Sequence, residues 1–503
     1  MSLIQINGLT FGYPGSFDTV FENVSLQLDT DWKLGFVGRN GRGKTTLLRL
    51  LQGQYEHMGQ IVCSVPFDYF PFGVEDGRQS AADLLETLCP DAESWQLARE
   101  LSGLGMPGEA MYQPFETLSQ GQQTKVQLAM LFLRPGRFLL IDEPTNHLDA
   151  GGRRAVSRYL NGKKGFILVS HDRDFLDGCV DHILAINKKS VEVQKGDYST
   201  WQQNRQLRLQ FEESQNQRLK KEIGQLTAAA RRTANWSDKV EASKYRNDAA
   251  QKGAASVDRG FIGHKAAKMM QRAKAIEGRR EAAVQQKKGL LQEVEELEAL
   301  KLQPLRHPKQ LLVQAQGLCG WYGELQALGP VSFTLTQGQR LAVKGPNGCG
   351  KSSLLHLVLA AAGTAAGTPA RTQGLLQAAG GLTVSWAAQS ARALAGPLTA
   401  FEQQNSLPPS LFRAVLRKLG FERAQFEKDL AEYSAGQKKK VLLAASLCRP
   451  AHLYVWDEPL NYIDLPARQQ LEELLLAFRP TLLFIEHDAA FVRRVATDVL
   501  ELG

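Results

Sequence analysis

At 503 residues, with 43% hydrophobic and 22% charged content, the chain is long enough for several soluble domains with large cores. No apolar run approaches the roughly 18 residues that a membrane helix needs. The start MSLIQINGLT lacks the basic and apolar regions of a secretory signal, and the six scattered cysteines include no CxxC pair. Membrane, disulfide-framework and zinc classes are therefore disfavoured, and reduced thiols in a cytoplasmic protein are expected. Net charge is +8, yet residues 203–306 alone carry 22 Lys+Arg against 13 Asp+Glu, so the flanking parts together are close to neutral.

Residues 3–30 alternate apolar and polar and predict strands, with Tyr13 on a turn containing Gly and Pro. Leu34–Val37 reads as a short buried strand. It runs into Gly38-Arg-Asn40-Gly41-Arg-Gly43-Lys44-Thr45-Thr46 and then an apolar helix. This is G-x-x-x-x-G-K-[ST] in its strand–loop–helix setting. The glycines let backbone N–H groups close around phosphate oxygens, Lys44 reaches the β- and γ-phosphates, and Thr45 offers oxygen to Mg²⁺.

Phe138-Leu-Leu-Ile-Asp142-Glu143 predicts a buried strand ending in two carboxylates, Asp142 for Mg²⁺ and Glu143 to polarise an attacking water. His171 follows a second apolar strand, 166–170. In an open parallel sheet these strand ends share one crevice.

The motifs return in order about 310 residues later, the mark of an internal duplication. Tyr322 matches Tyr13, and Gly345-Pro-Asn347-Gly348-Cys-Gly350-Lys351-Ser352-Ser353 repeats the phosphate loop. Ser434-Ala-Gly436-Gln437 repeats Ser119-Gln-Gly121-Gln122. Asp457-Glu458 repeats the acid pair and His487 the histidine. Ser119 to Asp142 and Ser434 to Asp457 are both 23 residues.

Leu118-Ser-Gln-Gly-Gln122 resembles the signature motif of ATP-binding cassette (ABC) proteins, and Asp142–Asp149 resembles the acid pair and D-loop of their soluble class F. The resemblance covers essentially the whole chain. It implies an α/β fold with two tandem P-loop cassettes, 1–202 and 307–503, joined by a long α-helical hairpin linker at 203–306. The two halves of one monomer would pair head-to-tail around two ATP molecules with Mg²⁺ and hydrolyse them. Each nucleotide would meet the phosphate loop of one half and the Ser-x-Gly-Gln of the other. Glu143 and Glu458 are then the general bases, His171 and His487 contact the γ-phosphate, and Tyr13 and Tyr322 stack on adenine.

ABC domains also carry a Gln after the next strand as a metal or water contact. Gln389 fits that role in the second half, whereas Tyr69-Phe-Pro-Phe72 offers none in the first. No extra arm within either half and no C-terminal extension are expected.

The linker composition favours helix, with no Pro before Pro304. Helices are expected from Ser199 to about Ala230 and from roughly His264 to Leu302, each on the order of 50 Å long and paired as an antiparallel coiled coil. Bases and aromatics gather outward: Lys239, Lys244, Tyr245, Arg246, Lys252, Arg259, Phe261, Lys265 and Lys268 are the candidate RNA contacts. The segment Asp258–Met270 resembles linkers of class F antibiotic-resistance proteins. That subgroup enters the ribosomal tRNA exit site and reaches toward the peptidyl-transferase centre, which implies contact with rRNA and tRNA and displacement of ribosome-targeting drugs. A housekeeping translation factor, a transporter ATPase and a DNA-repair ATPase are the competing readings. Fused halves without a membrane segment disfavour the transporter.

Overall fold

The computed structural model describes residues 2–14, 19–146, 148–186, 191–246, 302–364, 371–389, 394–421, 423–461 and 463–502. By internal packing the chain forms two units, Met1–Trp201 together with Glu298–Gly503, and Gln202–Leu297.

The first unit contains the fold twice. In the first half, the strands Phe67–Phe70, Phe138–Asp142, Phe166–Val169, Lys33–Gly38, His182–Ile186 and Val191–Lys195 form one sheet in that order. Its first five strands are parallel and the last is antiparallel. In the second half, Val384–Ala387, Leu453–Asp457, Leu482–Ile485, Arg340–Lys344 and Asp498–Glu501 form the matching all-parallel sheet. The central strands are buried on both faces, which is why they read as unbroken apolar runs: Phe166–Val169 and Leu482–Ile485 have no exposed residue. Each half adds a three-stranded antiparallel sheet. In the first, Leu3–Gly12 lies between Thr19–Asp29 and Met58–Val62, burying Ile4 and Ile6 and then, after a register shift, Leu9 and Phe11.

In both halves the phosphate-loop strand sits between its His-bearing neighbour and the next strand, so the loop, the acids and the histidine emerge at one sheet edge. The two halves also pack together. Leu465 of the second half lies in the hydrophobic cluster of the first. Arg173 Nη2 meets Glu472 Oε1 at 2.6 Å, Arg494 Nη1 meets the other oxygen at 2.8 Å, and Glu472 is fully buried. Arg493 Nη2 reaches Asp174 at 3.0 Å.

One helix, Tyr198–Arg246, runs for 49 residues, or about 70 Å, most of it in the second unit. It continues past Ala230, where the sequence suggested an end. Residues 225–246 contain neither Pro nor Gly, and their weaker helix formers lower propensity without breaking the ladder. Lys239, Lys244, Tyr245 and Arg246 therefore fall on this helix rather than in a connecting tip. Lys252, Arg259, Phe261, Lys265, Lys268 and the second arm helix lie outside the described residues, except at Leu302. That residue is buried in the core of the second half instead of ending a helix, and Leu305 N–H donates to Ala451 O (2.8 Å).

Candidate nucleotide sites

Each phosphate loop turns through glycines in the left-handed region: Gly41 and Gly43 have φ 83° and 92°, Gly348 and Gly350 85° and 92°. At Gly43 a Cβ would come within 2.5 Å of Val20 Cγ1, and at Gly350 within 2.0 Å of Ala327 O, so no side chain fits. At Gly41 and Gly348 a Cβ would meet nothing within 4 Å among the described residues, so there the positive φ alone favours glycine. Helices Lys44–Leu51 and Lys351–Ala361 start directly after the loops. Their N-termini carry orphan N–H groups and positive potential, which suits phosphate. Both lysines are buried and folded back: Lys44 Nζ donates to Gly38 O (2.7 Å) and Asn40 Oδ1 (3.1 Å), Lys351 Nζ to Gly345 O (2.9 Å) and Pro346 O (2.8 Å).

The second site is a cavity of about 710 Å3 with walls from both halves. Asn347, Gly348, Gly350, Lys351, Ser352, Ser353, Gln389, Glu458 and His487 line one wall; Ser119, Gly121 and Gln122 line the other. The signature residues begin the helix Gln120–Phe132 as a capping box. Ser119 Oγ accepts from Gln122 N–H, and Gln122 Oε1 accepts from Ser119 N–H (2.9 Å). Ser434 and Gln437 make the same box at the head of Ala435–Cys448. Each serine hydroxyl proton remains available to point outward.

Both glutamates after the acid strands adopt left-handed backbone, φ 51° at Glu143 and 48° at Glu458. For a residue other than Gly or Asn this costs about 1–3 kcal/mol, a strain that clusters at functional positions.

Around these glutamates the sites part. The strands Phe67–Phe70 and Val384–Ala387 pair identically with their acid strands, so Phe72 stands where Gln389 does. Gln389 and His487 hydrogen-bond Glu458, and Asn461 Nδ2 donates to Glu458 Oε2 (2.5 Å). Burial pushes Glu458 up, but these hydrogen bonds and the charges of His487 and Lys439 outweigh it, so its carboxyl titrates at about 2. Among the described residues Glu143 has no such set. Burial first, and the Asp142 charge second, raise it to about 8 against the pull of Lys44, Arg468 and Arg153. His171 Nε2 lies 3.3 Å from Glu143 Oε1 but hydrogen-bonds Asn40 Oδ1 at 3.0 Å. Burial and the Lys44 charge keep that imidazole well below the usual histidine range, hence neutral.

The residues read as metal ligands sit together in each half. Thr45 Oγ1 donates to Asp142 Oδ2 (2.9 Å), and Ser352 hydrogen-bonds Asp457, whose carboxyl burial raises to about 6. Asp457 Oδ1 is buried without a hydrogen-bond donor among the described residues. A hard oxygen set with an unsatisfied carboxylate oxygen fits Mg²⁺. In the first half Tyr69, absent from the sequence reading as a partner, also donates to Asp142 Oδ2 (2.9 Å).

Tyr13 is half-exposed, with its hydroxyl 2.7 Å from Thr46 Oγ1 and its ring edge-on to Phe11 and Tyr55. Tyr322 is likewise exposed at the end of its strand. The sequence places Asp464 in a D-loop-like segment, Glu458–Asp464, but gives it no role at a site. It caps the helix Leu465–Phe478 and also accepts from Asn40 N–H of the other half's phosphate loop (3.2 Å). Its position after the second acid pair, equivalent to Asp149, was the available signal.

The family profile described as "ABC transporter" matches residues 21–146 and 328–461. The ribosome protection protein VmlR of Bacillus subtilis (strain 168) is 27% identical, over 96% of this chain and 84% of that protein. The energy-dependent translational throttle protein EttA of Haemophilus influenzae is 24% identical, over 96% and 89%. Among solved structures, the archaeal ribosome recycling factor aABCE1, in complex with the ribosomal stalk protein aP1, superposes with TM-score 0.61 at 19% identity. That match covers 98% of this chain and 87% of that one. No helix among the described residues is long and apolar enough to cross a membrane.

Proposed function

We propose, from the premise that the chain belongs to the ATP-binding cassette family and resembles its class F, that it is an ATPase acting on the ribosome. In this reading ATP holds its two halves together, and the basic arm acts on tRNA and rRNA near the peptidyl-transferase centre to displace a bound antibiotic. The observation that carries the ATPase part is the second cavity, where the phosphate loop of one half faces the Ser119–Gln122 signature of the other.

The residues suggest a division of labour. Backbone N–H groups of the phosphate loops and the Lys44 and Lys351 ammonium groups bind the β- and γ-phosphates. Ser119 and Ser434 close on the γ-phosphate from the opposite half. Thr45 with Asp142, and Ser352 with Asp457 and Gln389, would hold Mg²⁺, which neutralises phosphate charge when bound. Phosphoryl transfer has a loose transition state, so an ionised, well-held carboxylate that orients water is what catalysis needs. Glu458 meets that requirement, with Gln389, Asn461 and His487 fixing it. Loss of the γ-phosphate would remove the charge that joins the halves.

The ribosomal part draws on the similarity to VmlR, a ribosome protection protein by name, and on the basic composition of residues 203–306. Similarity to EttA favours a second reading, a translation factor with the same chemistry and no drug role. The test is ATP turnover with and without ribosomes, followed by in vitro translation under a panel of ribosome-targeting drugs. Turnover that rises with ribosomes, and translation rescued from at least one drug, is expected. Turnover indifferent to ribosomes contradicts the proposal, and stimulation without any rescue favours the second reading.

A further inference from the structure

Helix Ala435–Cys448 carries two adjacent buried lysines that face different nucleotide sites. Lys440 Nζ pairs with Asp464 Oδ2 (3.2 Å), and the same oxygen accepts from Asn40 N–H in the first phosphate loop. Lys439, only 2% exposed, turns the other way. Its ammonium donates to three backbone carbonyls: Ala388 O (2.8 Å), Gln389 O (3.3 Å) and Asp457 O (2.8 Å). All three protons of the ammonium are thereby used, with no carboxylate oxygen taken up as acceptor. The acceptors are the backbone of the loop that presents Gln389 and of the strand end that presents Asp457 and Glu458. One side chain therefore fixes the spacing between the two elements that hold the catalytic carboxylate of the second site.

The first half lacks this tie. The position equivalent to Lys439 is Thr124, too short to span the distance. Among the described residues the link from that helix to the matching loop is one hydrogen bond, donated by Gln127 Nε2 to Phe72 O (3.1 Å). A buried cation is costly unless its hydrogen bonds are complete, so its presence in one half alone asks for a reason beyond filling space.

We infer that Lys439 is a positioning residue for hydrolysis at the second site, holding Gln389 and the Asp457–Glu458 strand end in register from the helix that bears the first site's signature. The inference rests on the reading that the second site hydrolyses ATP.

The test uses the full-length protein with one general-base candidate removed at a time, so that each site is read alone. With Glu143→Gln as background, only the second site turns over. Adding Lys439→Met there, which keeps the length and removes the donors, is expected to lower kcat by about tenfold or more and to raise the Mg²⁺ needed for half-activity, as losses behind a metal site do. KM for ATP should change little, since the phosphate loop is untouched. Lys439→Gln, with a shorter amide donor, should fall between. With Glu458→Gln as background, both substitutions should leave single-turnover hydrolysis at the first site within about twofold.

Equal losses in both backgrounds, or a rise in KM without a fall in kcat, would assign Lys439 to general packing and overturn the inference. Should Lys439→Met not fold, the same comparison is made with Lys439→Gln. If the Glu143→Gln protein itself fails to hydrolyse ATP, the reading of the second site has failed, a result separable from any effect of Lys439.

Discussion

The two nucleotide sites share a loop, an acid pair and a histidine at matching places, yet their surroundings push the two glutamates in opposite directions, Glu143 toward the neutral acid and Glu458 toward the carboxylate. Glu458 is held ionised by Gln389, Asn461 and His487, whereas Glu143 is buried beside Asp142 and titrates at about 8. The difference arises outside the repeated motifs: Phe72 replaces Gln389, Tyr69 supplies its hydroxyl to Asp142, and Thr124 replaces Lys439. A motif fixes where a carboxylate stands, and the neighbours decide whether it is charged.

The largest test of this asymmetry is removal of each glutamate. Glu458→Gln is expected to lower steady-state ATP turnover by about a hundredfold or more, the scale of losing a general base, while Glu143→Gln should cost less than about tenfold. Equal losses would erase the comparison. Next in size, Phe72→Gln in the Glu458→Gln background supplies the missing amide and should raise single-turnover hydrolysis at the first site about tenfold. An unchanged rate would mean that the loop residue is not what separates the sites.

A third difference lies beside the histidines. Arg173 follows His171 by two residues and pairs with the fully buried Glu472, whereas the matching position after His487 is Ala489. Arg173→Met leaves Glu472 with Arg494 alone, and denaturant unfolding should show a loss of about 2 kcal/mol. Ala489→Met, at the equivalent place, should cost under about 1 kcal/mol. The smallest effect is expected for Tyr69→Phe. It frees one lone pair of Asp142 and should lower the Mg²⁺ concentration for nucleotide binding at the first site by about two- to threefold.

Much of this architecture was legible in the chain because duplication gave every motif a second witness. The buried parallel strands announced themselves as apolar runs, and the phosphate loops as glycines at fixed offsets. Asp464 could not be read in its role, because its bond to Asn40 joins residues 424 positions apart across the two halves. Lys439 looked like one of three lysines in a row, and only the packing of its helix shows that it is buried. Helix Tyr198–Arg246 outran its expected end because propensity marks where a helix weakens better than where it stops. The missing Gln after Phe70 was visible, but the compensating hydroxyl of Tyr69 was not, since sequence shows an absence more readily than the contact that fills it.

The account stands on ATP joining the halves and that union licensing engagement of the ribosome. The most direct measurement is sedimentation of the Glu143→Gln, Glu458→Gln double variant with purified ribosomes, in ATP and in ADP. The account predicts that the variant pellets with ribosomes in ATP and stays in the supernatant in ADP. A variant that remains free of ribosomes in both nucleotides, or pellets equally in both, would contradict it.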